Sequence, residues 1–395
     1  MAFLGGTAVR LSRITAASAV ASMLLVAGAA GCSSDDDSTE ASEVITIAAD
    51  LNNSSAVDTA YARALQLRIE QVNASGQLGD RQLKLITQDN RNDPTSSLRN
   101  ISSFADDKSV AAIVTGACDQ CTVGAVKTIT DKKVPTISLA ASEEVVNPVS
   151  DRRYLFKIGP NSPDSAAAMV AELRQAKIKK IGILHSDDLY GKGALKALSA
   201  KLNGSGVSGQ IVRAVKPTAT DITQAVGTLA DAEPGAIVVL TAPDQAQLAA
   251  IGAKQVGYKG KLYFDAASAG DLFIPAAAVK ATDDARMIFT PILAIDDVIA
   301  TTPAKSSRKQ WFRDYTSRYG SYSGVASFAA DAVDLVADAV ARAGNNRDGI
   351  RDIIETSQVD GLSGPIRITP DNHSGLMPQA LTVLVARAGR WRLAS

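Results

Sequence analysis

The residues whose types and spacing carry the most chemistry sit together in Cys118-Asp119-Gln120-Cys121, with Ser142 a short way downstream. Two cysteines separated by two residues can close a local disulfide, remain free thiols, or serve metal or redox chemistry. A zinc site needs about four ligands. The chain holds 3 Cys and 2 His, and those two, His185 and His373, are far apart in sequence. The disulfide is therefore the first reading, with free thiols and metal or redox chemistry left open. Asp187-Asp188 could ligate a metal, but adjacent carboxylates at a strand end more often cap a helix. His185 reads as a loop or packing residue before it reads as a base. Gly191-Lys192-Gly193 is a fragment of a dinucleotide fingerprint that lacks its last glycine, and the chain has no G-x-S-x-G elbow. No catalytic set, metal or cofactor is expected, and an α/β enzyme stands as the alternative from another class.

The elements that must position these residues are two short apolar runs. Ile113 to Thr122 and Val134 to Ser142 each end abruptly in small or polar residues, with a helical stretch, Val123 to Lys132, between them. That pattern predicts a strand–helix–strand unit with parallel neighbouring strands. Their carboxyl ends then lie side by side, where open α/β sheets bind ligands. Gly116, Ala117, Cys118 and Asp119, with Ala140, Ala141 and Ser142, are thus candidate binding residues. Small side chains there let a ligand reach backbone N–H groups.

The same alternation runs along the chain. Val44 to Ala49 and Leu83 to Thr87 read as strands. Thr59 to Ala74 and a segment opened by Asp93-Pro94 read as helices. After Tyr154 to Ile158 the pattern restarts, with strands at Ile181 to Leu184, Gln210 to Val215, Ala236 to Thr241 and Leu262 to Phe264. Helices from Ser162-Pro163 to Ala176, after Asp221 and from Gln245 to Val256 lie between them. This predicts a second α/β lobe with its own sheet. The remainder is helix-rich, with helices at Ser307 to Tyr319, Val325 to Ala343 and Arg347 to Thr356. The stripe Phe328, Val333, Leu335, Val336 and Val340 reads as core packing. Strands at Pro365 to Thr369, Ala380 to Ala386 and Arg390 to Leu393 close the chain.

The chain has 395 residues, with Lys+Arg and Asp+Glu equal at 41 each. That length is enough for two ordinary domains, and a balanced charge gives no electrostatic reason to expect nucleic acid. Arg10 and Arg13 precede an apolar stretch, Ile14 to Ala30, too short and too rich in small residues to read as a membrane span. It ends Ala29-Ala30-Gly31-Cys32, which resembles a bacterial lipobox. That resemblance implies a signal peptide over 1–32, lipidation of Cys32 and a lipid-anchored body at the extracytoplasmic face of the cell membrane. An ordinary cleaved signal is the alternative. Residues 33–43, acidic and Ser-rich, read as a flexible tether.

An ordered set of segments resembles the leucine/isoleucine/valine-binding proteins, the substrate-binding lipoproteins of ABC transporters. The set comprises Ala64 to Gly79, Asp89 to Pro94, Ile181 to Gly193, Thr220 to Thr223, Ala330 to Ala332 and Gly361 to Ile368. The resemblance covers 44–395. It implies a two-lobed type I periplasmic-binding-protein fold, α/β, with two doubly wound parallel sheets and three hinge crossings. Lobe 1 would comprise 44–160 and 291–364, and lobe 2 would comprise 161–290 and 365–395. It also implies a small-molecule ligand held by lobe closure and passed to an ABC permease and ATPase complex; a ligand sensor is the alternative of the same fold. The ligand contacts that carry over are Ala117, Cys118, Asp119, Ala140, Ala141 and Ser142, with Tyr190 from the other lobe. The acid facing an ammonium maps to Asp265, and Ala266 fits the alignment about as well. The chain has Asp119 where relatives have Ser or Thr, and Ala242-Pro243-Asp244 where they have an aromatic. Asn52 to Val57 also lacks their aromatic. The ligand expected from these departures is small and polar, cationic or hydroxyl-rich, and held by Asp119 and Ser142.

Overall fold

The computed structural model describes residues 43–394. The expected leader, Cys32 and residues 33–42 of the tether lie outside the described residues. Glu43 does not belong to a tether: it opens the first strand opposite Arg81, and its carboxylate pairs with the Arg81 guanidinium at 3.0 Å.

Nearly continuous apolar runs make most of the early strands; Arg81–Asp89, at the sheet edge, mixes polar with apolar residues. These strands are β1 (Glu43–Leu51), β2 (Arg81–Asp89), β3 (Val110–Thr115), β4 (Thr136–Ser138) and β5 (Leu155–Lys157). The helices between them are α1 (Ala56–Ser75), α2 (Pro94–Asp106) and α3 (Asp119–Asp131). Every residue of β3, β4 and β5 is buried, as a sheet covered on both faces requires. The order β2-β1-β3-β4-β5 is parallel throughout, and Ile113 stands opposite Thr136 as the strand–helix–strand pattern predicts.

The second sheet is built from β6 (Lys180–Ser186), β7 (Ser208–Val215), β8 (Ala236–Leu240), β9 (Lys261–Phe264), β10 (Arg286–Phe289), β13 (Thr382–Arg387) and β14 (Arg390–Leu393). Its helices are α4 (Ser162–Gln175), α5 (Leu189–Leu202), α6 (Thr223–Ala230), α7 (Pro243–Gln255) and α8 (Val279–Thr282). The order is β14-β13-β10-β9-β8-β6-β7, and β13 runs antiparallel to both β10 and β14, so this sheet is mixed. β10 is an addition to the expected strands. At four residues it is too short to show a period, and burial on both faces erases the alternation.

Between the sheets' last elements come α9 (Pro303–Tyr319), α10 (Ala326–Ala343), α11 (Arg347–Glu355) and a hairpin of β11 (Gln358–Asp360) with β12 (Pro365–Arg367). The Ala-rich α10 is buried along almost its whole length and packs on α1, so the chain returns to the first sheet before ending on the second. It therefore crosses between the sheets three times: after β5, after β10 and after β12.

Polar pins hold the crossings. Lys157 is fully buried; its backbone exchanges hydrogen bonds with His373 and Gly375, and its Nζ donates to Pro160 O at 2.7 Å. Asp331, also buried, accepts the backbone N–H groups of Leu362 at 2.6 Å and Ser363 at 2.8 Å, and the Ser363 hydroxyl as well. Gly361 is required there, because a Cβ would lie 2.7 Å from the Asp331 carboxylate.

Candidate functional site

Both sheets reverse their winding, at β1/β3 in one and at β6/β8 in the other, and ligands bind outside the carboxyl ends of strands at such points. A cavity of about 160 Å³ lies where these ends meet. The first sheet contributes Ala117 and Asp119 after β3, Leu139 to Ala141 after β4, and Gly159 and Pro160 after β5. The second contributes Asp188 and Tyr190 after β6, Ala242 and Pro243 after β8, and Asp265 to Ala267 after β9. Val57, Tyr61 and Phe328 supply apolar surface from α1 and α10.

Six of the eight residues expected at a ligand site line this cavity: Ala117, Asp119, Ala140, Ala141, Tyr190 and Asp265. Ala266, the other candidate for the acid position, lines it too. Cys118 and Ser142 stand behind the wall. Cys118 is joined to Cys121 by a disulfide and caps α3. Ser142 is 2 % exposed; its hydroxyl accepts the Glu144 N–H, and its own N–H donates to Asp119 at 2.7 Å. The expected helix from Val123 begins four residues earlier, so Asp119 is its first residue and not part of a loop. The disulfide closes that first turn.

Asp58 was not singled out by the sequence, yet it organises the wall. It lies in the first turn of α1, is 2 % exposed, and accepts the N–H groups of Asn52 at 2.7 Å and Ala117 at 2.8 Å. The signal available was Ser55-Ala56-Val57-Asp58, an acid three residues after a helix cap. Gly116 fits beneath it because a Cβ would sit 2.6 Å from the carboxylate. Asp188 does cap α5, accepting the Gly191 N–H at 2.7 Å, and it faces the cavity as well.

The electrostatics are one-sided. Asp119, Asp188 and Asp265 line the cavity, and among the described residues no Lys, Arg or His does. Burial lifts the Asp119 carboxyl to about 7, Asp188 across the cavity adding to the rise, while the Ser142 N–H and the more distant Lys157 oppose it. Burial lifts Asp265 to about 8, against hydrogen bonds from Ser268. The Asp265 carboxylate also receives the Tyr190 hydroxyl. Asp58 is raised to about 6 by burial despite its two backbone donors. His185 is buried in β6 with Nδ1 on Ser186 O, as a packing residue. Among the described residues no cluster of His, Cys, Asp or Glu is arranged to hold a metal ion.

The arrangement matches known proteins. A curated relative is an amino acid binding protein of Pseudomonas aeruginosa, 23 % identical over 147 residues; the match covers 37 % of this chain and 39 % of that relative's length. Similar solved structures include an extracellular ligand-binding receptor from Rhodopseudomonas palustris HaA2, with a TM-score of 0.80, 21 % identity, and coverage of 89 % of this chain and 99 % of that one. A leucine-binding protein from Thermotoga maritima MSB8 matches with a TM-score of 0.76, 19 % identity, and coverage of 89 % and 98 %. An ABC transporter substrate-binding protein from Desulfitobacterium hafniense, solved in complex with Leu, matches with a TM-score of 0.74, 16 % identity, and coverage of 89 % and 100 %. These likenesses establish the two-sheet type I fold. The sequence profile of the periplasmic binding protein family matches residues 52–390. The chain belongs to the periplasmic binding protein family.

Proposed function

We propose that this protein is an extracytoplasmic solute-binding protein, anchored through a lipid on Cys32, that captures a small polar molecule and delivers it to the permease and ATPase of an ABC importer. The observation that carries the reading is the cavity bounded by strand ends of both sheets. Its two lobes are divided by the three crossings, after β5, after β10 and after β12. A ligand touching both is gripped fully only when they close, so binding shifts the population toward the closed form. Relatives named for leucine or amino acid binding support a role in solute capture. Their ligand does not come across with the fold, because Asp119 stands at the wall expected to meet a carboxylate. The chain is not an enzyme in this reading, which rests on the match to a family of binding proteins over residues 52–390.

Mass spectrometry of solute released from the natively purified full chain tests the role. A single small molecule recovered unchanged, in near-stoichiometric amount, is the expected result. A chemically converted product, or no retained solute together with no response to any added solute, counts against it. Labelling with a radioactive fatty acid that is lost in Cys32→Ser checks the anchor.

A further inference from the structure

The solute-binding reading leaves the ligand's chemistry open, and the inference below rests on that reading. The polar groups at the cavity wall narrow the choice. A helix N-terminus beside strand-end amides is a ready place for an anion. Here that place is filled from within. Asp58 takes the Ala117 N–H, and Asp119, first residue of α3, takes the Ser142 N–H. A ligand carboxylate would find these donors engaged and the Asp119 carboxyl in front of it.

The opposite wall repeats the sign. Asp265 is 4 % exposed and Asp188 is half-buried at the cavity edge. Among the described residues no cationic side chain lines the cavity to balance these acids. The nearest buried ammonium, Lys157 Nζ, is committed to Pro160 O at 2.7 Å and Asn161 Oδ1 at 3.3 Å. Independently of the acids, the rings of Tyr61 and Phe328 line the cavity, and aromatic faces attract cations. The cavity of about 160 Å³ is close in size to one that takes up benzene.

We propose that the cleft selects a small organic cation, an amine or guanidine on a short apolar body that lacks a carboxylate. Its charged end lies among Asp119, Asp188 and Asp265, and its body lies against Tyr61 and Phe328. A zwitterionic amino acid gains the same attraction at its ammonium and loses it again at its carboxylate.

Calorimetric titration of the ligand-free full chain at pH 8 tests this with three pairs that differ only in the α-carboxylate. The pairs are leucine and 3-methylbutylamine, ornithine and putrescine, and arginine and agmatine. The expected result is that in at least one pair the amine binds about tenfold or more tightly than its amino acid, and no amino acid outbinds its amine. Asp119→Asn, which keeps an oxygen for the Ser142 N–H, should weaken that amine about tenfold. Asp265→Asn provides a second reading should the first variant fold poorly. An amino acid that outbinds its amine overturns the inference and leaves solute capture standing. So does unchanged amine affinity in both variants. Silence from all six probes overturns the inference; the solute-capture reading falls with it only if the native protein also retains no solute.

Discussion

Asp58 spends its two strongest acceptor directions on the chain itself, and this explains Gly116. The carboxylate tucks over the backbone of the β3–α3 turn, and no side chain fits between them. Gly116→Ala should therefore push the Ala117 N–H out of register with Asp58. The cost is about 1–3 kcal/mol of unfolding free energy, measured by denaturant titration. A loss below a few tenths would mean that the turn relaxes freely. Little of this was legible in sequence. Small residues at a strand end predicted close approach of a ligand to the backbone, and at Ala117 the N–H is instead taken by a carboxylate 59 positions earlier. Partners that distant leave no periodic trace. Asp119 was legible as an anomaly; that it faces Asp188, an apparent helix cap, was not, because a cap at a cavity edge has the same sequence signature as a cap in solvent.

Among the elements, α3 differs most from its expected form. Apolar spacing located its body, but its first turn carries Asp119 and Gln120 and contributes little to a period. Capping decides where it starts: Cys118 is the cap, and its bond to Cys121 holds the turn closed. A loop this short constrains the unfolded chain modestly, so reduction should cost about 2 kcal/mol in the chain-entropy account. Comparing melting of the oxidised protein with that of Cys118→Ser/Cys121→Ser checks it; identical melting would mean that the turn is held by its hydrogen bonds alone. A second element-level test lies in α5. Gly191 packs against Ser186 so closely that a Cβ would fall 2.1 Å from its carbonyl oxygen. Gly191→Ala should displace the start of α5 and with it Asp188 and Tyr190. Loss of binding with circular dichroism close to that of the parent is the expected outcome. Helices were readable because burial of one face imposes the helical period, and the longer parallel strands were readable as continuous apolar runs. β10 and β11, of four and three residues, were not, whereas the strand expected from Pro365 is β12.

For the whole molecule, buried carboxylates set the response to pH. Burial raises Asp58 to about 6, Asp119 and Asp331 to about 7, and Asp265 to about 8. Each is protonated more readily in the folded state than in the unfolded one, so between about pH 4 and pH 8 the unfolded state holds fewer protons and stability falls as pH rises. The ligand-free protein should melt higher at pH 5.5 than at pH 8. The opposite order would require these groups to be ionised and well paired when empty. Asp119 and Asp188 add a mechanical consequence, since they face the cavity from different sheets and Asp188 raises the Asp119 carboxyl. Once Asp119 ionises, above about pH 7, its charge beside Asp188 resists approach of the two lobes, by about 0.2–1 kcal/mol for a partly screened pair. Closure of the empty cleft is then disfavoured, and a cation between them removes the penalty. Asp188→Asn keeps an oxygen for the Gly191 N–H and removes the charge, so it separates repulsion from helix capping. In small-angle scattering at pH 8, the ligand-free variant should have a smaller radius of gyration than the parent. The two should converge at pH 5.5, where Asp119 is protonated in the parent as well. Equal radii at both values would assign the resting position of the lobes to the three crossings and not to charge.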